Sequence, residues 1–111
     1  MKNPIITELL SKLVEIPSIS SLEANQKDVL DSANYIAELF KELGLNSKVT
    51  SSKNSKPAVL AQTEIDPSKK TVLLYAHHDV QPVGDINKWE TDPFKPEIIE
   101  GRLFARGSGD N

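Results

Sequence analysis

The residues best suited to chemistry are a histidine and a carboxylate two positions apart, His77 and Asp79, in the run Leu73-Leu74-Tyr75-Ala76-His77-His78-Asp79-Val80-Gln81-Pro82. On extended backbone alternate side chains share a face, so His77 and Asp79 point into one site, while His78 points away and reads as packing. A carboxylate beside a histidine can accept one ring N–H, fix the tautomer and make the other nitrogen a better donor to a metal ion. A third candidate is Asp110 in Gly107-Ser108-Gly109-Asp110, where glycines let the backbone turn tightly and present a carboxylate. Structural readings fit the same residues: a histidine near a strand end is commonly a satisfied packing residue, and an aspartate among glycines is a common surface turn. Spacing alone leaves both readings open.

The elements that would position these residues follow from patterning. Residues 71–75 form a nearly continuous apolar run, as in a central strand buried on both faces, and Pro82 and Gly84 then turn the chain away. In open α/β sheets ligands gather beyond the carboxyl ends of such strands, where His77 and Asp79 stand. Upstream, helical spacing predicts a helix over residues 4–16, with Asn3 as N-cap, Pro4 at the first helical position and Pro17 ending it. Pro17-Ser18-Ile19-Ser20-Ser21 reads as a loop that bears on the next element rather than an interdomain linker. A second helix is expected over residues 25–43, burying Val29, Ala33, Ile36, Phe40 and Leu43 and capped by Gly44. Strands over 45–50 and 58–62 flank a polar loop, and Asp66-Pro67-Ser68-Lys69-Lys70 is a turn. A long irregular stretch with Trp89, Pro93, Phe94 and Pro96 precedes two short strands, 97–100 and 102–105, meeting at Gly101. The expected class is α/β, a mixed sheet flanked by helices.

Composition removes several functions. The sequence has 38% hydrophobic and 26% charged residues, and its net charge of −3 offers no basic stripe for a phosphate backbone, which argues against nucleic acid. With no cysteine, disulfides, thiolate catalysis and cysteine-based zinc sites are excluded, so any metal must use histidine and carboxylates. No segment approaches the ~20 apolar residues of a membrane-spanning helix, and the start resembles no signal peptide, giving a cytoplasmic expectation without membrane partners. The end, inside a Gly-rich turn, reads as a chain cut short.

Three pieces in order resemble one family: residues 74–82, Trp89-Glu90-Thr91-Asp92-Pro93-Phe94, and residues 101–110 beginning Gly101-Arg102-Leu103-Phe104. The family is that of the zinc metallopeptidases and deacylases that includes carboxypeptidase G, aminoacylase, carnosine-type dipeptidases and succinyl-diaminopimelate desuccinylase. Ile16-Pro17-Ser18-Ile19-Ser20 resembles it more weakly. Ala76 stands where that family usually has glycine, and His78 where tyrosine is frequent.

The resemblance implies that His77 is a zinc ligand, that Asp79 orients this histidine and supports catalysis, and that Asp110 bridges two zinc ions, with Co2+ or Mn2+ as possible substitutes. It also implies a cis peptide bond between Asp110 and Asn111. Trp89, Phe94 and Arg106 are expected to hold the loop and the Asp110 turn. The chain then corresponds to an incomplete N-terminal portion of a three-layer catalytic domain, without the dimerisation domain; a homodimer is expected only of the full-length protein. The implied reaction is cleavage of amide bonds in dipeptides or N-acyl amino acids. Its paired glutamates, further acidic ligand and last histidine would lie beyond residue 111. Taken alone, the chain is therefore expected to bind zinc weakly, to leave peptides uncut and to expose apolar surface that favours aggregation. The alternative is a non-catalytic α/β binding or interaction module that keeps the motif residues as structure.

Overall fold

The structure, a computed structural model, describes residues 3–110. Helix α1 spans Pro4–Val14, and the Asn3 side chain accepts hydrogen bonds from the Ile5 and Ile6 N–H groups at 3.0 and 3.4 Å. It stops short of the expected residue 16, because a residue preceding proline is pushed out of the α region. Two tight turns follow at once, Ser18 N–H to Ile16 O and Ile19 N–H to Pro17 O, each 2.7 Å. After a 3₁₀ turn at Glu23–Asn25, helix α2 runs over Gln26–Glu42. Gly44, at φ +82°, donates to Lys41 O, and Leu45 donates to Phe40 O, both at 2.9 Å; this paired closure needs the left-handed conformation that glycine adopts freely.

Strands β1 (Asn46–Thr50) and β2 (Ala58–Gln62) pair antiparallel, with Ser47 opposite Ala61 and Val49 opposite Val59. Those four alternate side chains form the better-buried face, and α2 packs on both strands. Val29, Ser32, Ala33 and Ala37 form the buried face of α2, whereas Leu43, expected inside, is 74% exposed just past the last helical turn. Strands β3 (Glu97–Ile99) and β4 (Arg102–Phe104) form a second antiparallel pair. The only parallel element among the described residues is an isolated bridge between Ile19 and Val80.

The expected central strand does not form. Residues 71–79 carry no ladder, and Val72, Leu73, Leu74 and Tyr75 are 77–92% exposed. An apolar run becomes a strand only when neighbouring backbone takes up its N–H and C=O groups, and the described chain places no ladder partner on either edge. The segment instead stands beside β2 across an open groove walled by Ile36 and Phe40 of α2. The molecule is accordingly loose: its radius of gyration is 15.8 Å, against about 13 Å for a closed domain of this length. Its buried apolar residues are few and mostly small, namely Val14, Ile19, Val29, Ala33, Ala37 and Ala105.

The chain returns to this small core near its end. Ala105 is buried, and Gly107, at φ +86°, lies so close to Val80 that an added Cβ would stand 2.6 Å from Val80 Cγ1, with Val14 next nearest. Gly107→Ala should therefore lose ~2 kcal/mol in denaturant unfolding, from overpacking together with backbone strain. Gly44→Ala, with equal strain but open space around the new methyl, should lose less; equal losses would show that the Val80 contact is not formed. Leu74→Glu should change stability by less than ~0.5 kcal/mol while lowering self-association in sedimentation, because the side chain it removes is 88% exposed. A large loss of stability would mean that the segment is buried after all.

Candidate metal site at the end of the extended segment

Although unpaired along most of its length, the extended segment is fixed at its carboxyl end. The loop after α1 holds it: the Ser18 hydroxyl donates to His78 O at 3.0 Å, and Val80 N–H donates to Ser18 O at 3.0 Å. Ser18 is 1% exposed and Ile19 6%, so these bonds lie out of competition with water. The loop is itself held from α2's entry, by Asn25 Nδ2 donating to Pro17 O at 3.0 Å and Gln26 Nε2 donating to Ser20 O at 3.2 Å. The loop bears on the next element, as expected, through Asn25 and Gln26, and beyond that expectation it also holds the segment carrying both candidate site residues.

His78 turns away from the site, as alternation predicts. Its Nε2 lies 3.1 Å from Pro57 O, which can only accept, and its Nδ1 lies 3.2 Å from the hydroxyl of the buried Ser32. The ring thus joins the extended segment to α2 and to the start of β2, and its role is packing.

His77 and Asp79 come together. His77 Nδ1 is 3.0 Å from the Asp79 backbone carbonyl and 3.3 Å from Asp79 Oδ1. Both atoms are acceptors, so in the neutral imidazole Nδ1 carries the proton and Nε2 keeps the lone pair. No described residue bonds Nε2, and the ring is 44% exposed. The other carboxylate oxygen, Oδ2, accepts a short hydrogen bond from the Ser20 hydroxyl. Burial is the largest single influence on the Asp79 carboxyl and raises its pKa, but the Ser20 hydroxyl, the residue's own N–H and His77 together outweigh it and hold it below the usual carboxylate range. A carboxyl lowered on folding stabilises the fold above its unfolded pKa, a contribution lost as pH falls through the lowered value.

Asp110 is placed differently. It is exposed at the end of a turn whose base is docked by Gly107 on Val80 and closed by Ser108 Oγ donating to Ala105 O at 2.9 Å. Among the described residues no group of three histidines, cysteines or carboxylates could hold a metal ion, so Asp110 is not assembled with His77 and Asp79 into such a cluster. The bond to Asn111 lies outside the described residues. Trp89 and Arg106 are structural, as expected: the indole N–H donates to Val83 O at 2.9 Å, and the Arg106 guanidinium stacks 5.3 Å from the Trp89 ring centre while donating to Pro82 O at 2.8 Å. Phe94 is half-buried in the same loop, its N–H capped by Asp92 Oδ1 at 2.9 Å.

The donor set tests for a metal in part. One imidazole nitrogen stands free with its partner nitrogen held by a carboxylate, which suits a divalent ion, but a complete set of protein ligands is absent among the described residues. Sequence reasoning missed the serines that build this arrangement, Ser18, Ser20 and Ser32. The one available signal was a Ser-rich loop held short by a helix-ending proline.

The sequence pattern of Peptidase family M20/M25/M40 matches residues 73–111. The chain is 37% identical over 112 aligned residues to the Cys-Gly metallodipeptidase DUG1 of Saccharomyces cerevisiae, covering 90% of this chain and 23% of that protein. In backbone it is similar to the solved dipeptidase Dug1p of that yeast (TM-score 0.83, 34% identity, 97% of this chain and 25% of the other). Human carnosine dipeptidase 1 is similar as well (TM-score 0.86, 28% identity, 96% and 25%). The chain thus spans about a quarter of the length of the relatives it matches. The α/β arrangement of helices with antiparallel strand pairs matches the backbone of these dipeptidases over that quarter. The chain is thus similar to Peptidase family M20/M25/M40 in sequence from residue 73 onward, and to solved dipeptidases in backbone path over nearly its whole length.

Proposed function

We propose that this chain forms an N-terminal part of the catalytic domain of a divalent-metal hydrolase that cleaves the amide bond of dipeptides or of similar N-acyl amino acids. The observation that carries this reading is the His77 ring, its Nδ1 held by Asp79 and its Nε2 bonded by no described residue, inside the segment that matches the peptidase family. His77 would offer Nε2 to one ion, Asp79 would hold the ring and strengthen its donation, and Asp110 would offer a carboxylate to the same centre. Zinc is the ion proposed, two per site. A divalent ion there supplies Lewis-acid polarisation of the scissile carbonyl and an activated water. This chain's own contribution is to orient one donor before the ion arrives and, in the neutral ring, to place the proton on Nδ1 rather than on the ligating atom.

The further ligands, the general base and the dimerising part would come from outside this sequence, and the whole protein would work in the cytoplasm as a homodimer on small peptides. No helix among the described residues is long and apolar enough to cross a membrane. A second reading holds for the chain taken alone, a folded module with no turnover of its own, since no three-residue metal cluster is found among the described residues.

Three measurements follow. Zinc titrated into the chain should bind weakly, and His77→Ala should abolish that binding; zinc affinity unchanged in His77→Ala would overturn the assignment. In the complete protein containing this chain, Asp79→Ala should weaken zinc binding about 10- to 100-fold, the usual effect of removing a carboxylate behind a ligating histidine. The chain by itself should leave dipeptides intact at any zinc concentration, and turnover that survives rigorous removal of other peptidases would refute the view that most of the site lies elsewhere.

A further inference from the structure

We infer that Ser20 is a positioning residue for His77, acting through Asp79. The inference rests on the proposed metal-donor role of His77. Asp79 is 40% exposed, and a carboxylate so exposed would ordinarily sample several rotamers. In the structure its two oxygens are divided: Oδ1 stands 3.3 Å from His77 Nδ1, beside the Asp79 backbone carbonyl that takes the same N–H at 3.0 Å, and Oδ2 takes the Ser20 hydroxyl. The hydroxyl has one proton and it goes to Oδ2, so Ser20 fixes the carboxylate plane that presents Oδ1 to the ring.

Ser20 can do this because its own backbone is fixed. Gln26, the first residue of α2, donates from Nε2 to Ser20 O at 3.2 Å and to Leu22 O at 2.6 Å, while its Oε1 accepts from Lys56. Two residues earlier, Ser18 is tied to His78 and Val80, so loop and segment share one register. The hydroxyl is thus aimed by α2 and by the buried loop rather than by the site it serves. The order of contacts also excludes nucleophilic use of Ser20: the carboxylate stands between serine and histidine, whereas an activated serine needs the imidazole next to its oxygen. A purely local cap does not explain the contact, since Ser20 and Asp79 are 59 residues apart in sequence.

The test compares the chain with its Ser20→Ala and Ser20→Thr variants, at an alkaline pH where the 15N shifts themselves show one protonated and one bare ring nitrogen. Side-chain 15N chemical shifts of His77 read its tautomer, zinc titration reads the affinity, and denaturant unfolding reads stability. Ser20→Ala should reduce the population of the Nδ1–H tautomer of His77, which the Asp79 carbonyl would then hold alone, and weaken zinc binding about tenfold, and Ser20→Thr, which keeps the hydroxyl, should restore both. A Ser20→Ala chain that is less stable but keeps the His77 tautomer would overturn the inference, as would a Ser20→Thr chain that behaves like Ser20→Ala while remaining folded. The tautomer separates this inference from the metal reading. If zinc binding proves independent of His77 yet Ser20→Ala still shifts the tautomer, the positioning role stands and the metal assignment falls; if zinc binding requires His77 but Ser20→Ala changes neither readout, the reverse holds.

Discussion

The site depends on the pair of hydrogen bonds by which Ser18 grips the backbone at His78 and Val80. Each such bond contributes only ~1 kcal/mol net. Their consequence is larger than their energy, because they fix the φ and ψ angles of a segment that otherwise has no ladder to fix them. Once His78 and Val80 are held, Asp79 between them has one direction to point, and His77 before them is near enough for its ring to reach both the Asp79 carbonyl and the Asp79 carboxylate. Val80 in turn gives Gly107 its docking place, which sets where the Asp110 turn begins. Side chains separated by up to 90 residues are thus referred to one short stretch of loop.

Much of the framework was legible in the sequence because it is local. Asn3 and Pro4 start α1, Gly44 closes α2, the hairpin of β1 and β2 alternates as written, and Gly101 marks the second pair. The failure at residues 71–75 has the opposite character. Apolar content shows that a segment can be buried, but a strand also needs backbone partners, and those are a property of other parts of a fold. Leu73 and Leu74 carry the composition of a central strand and the exposure of a free edge.

The candidate pair survived that error for a physical reason. Alternation depends on extended backbone and not on pairing, so His77 and Asp79 share a face whether or not the segment before them is in a sheet. His78 is turned away toward Ser32 and Pro57 by the same geometry. Asp110 was legible as a turn residue, yet its relation to His77 is tertiary and no spacing rule reaches it. The serines were harder still. A hydroxyl looks alike in a solvated loop and in a buried one, and only the fold distinguishes Ser18 at 1% exposure from the exposed Ser21 one turn later.

The unpaired run and the incomplete donor set lie on consecutive residues, and they bear on each other. The backbone at residues 71–76, which joins no ladder among the described residues, leads directly into His77, whose Nε2 no described residue bonds. Pairing of that run with further strands would stiffen the backbone on the amino side of His77, as the Ser18 grip already stiffens it on the carboxyl side. A ligand held from one side only pays ordering entropy when the ion binds, and that cost weakens affinity before any question of ligand number arises. The weak zinc binding proposed for this chain would therefore have two separable sources, too few donors among the described residues and a half-anchored first donor. Added strand pairing would repair the second without touching the first.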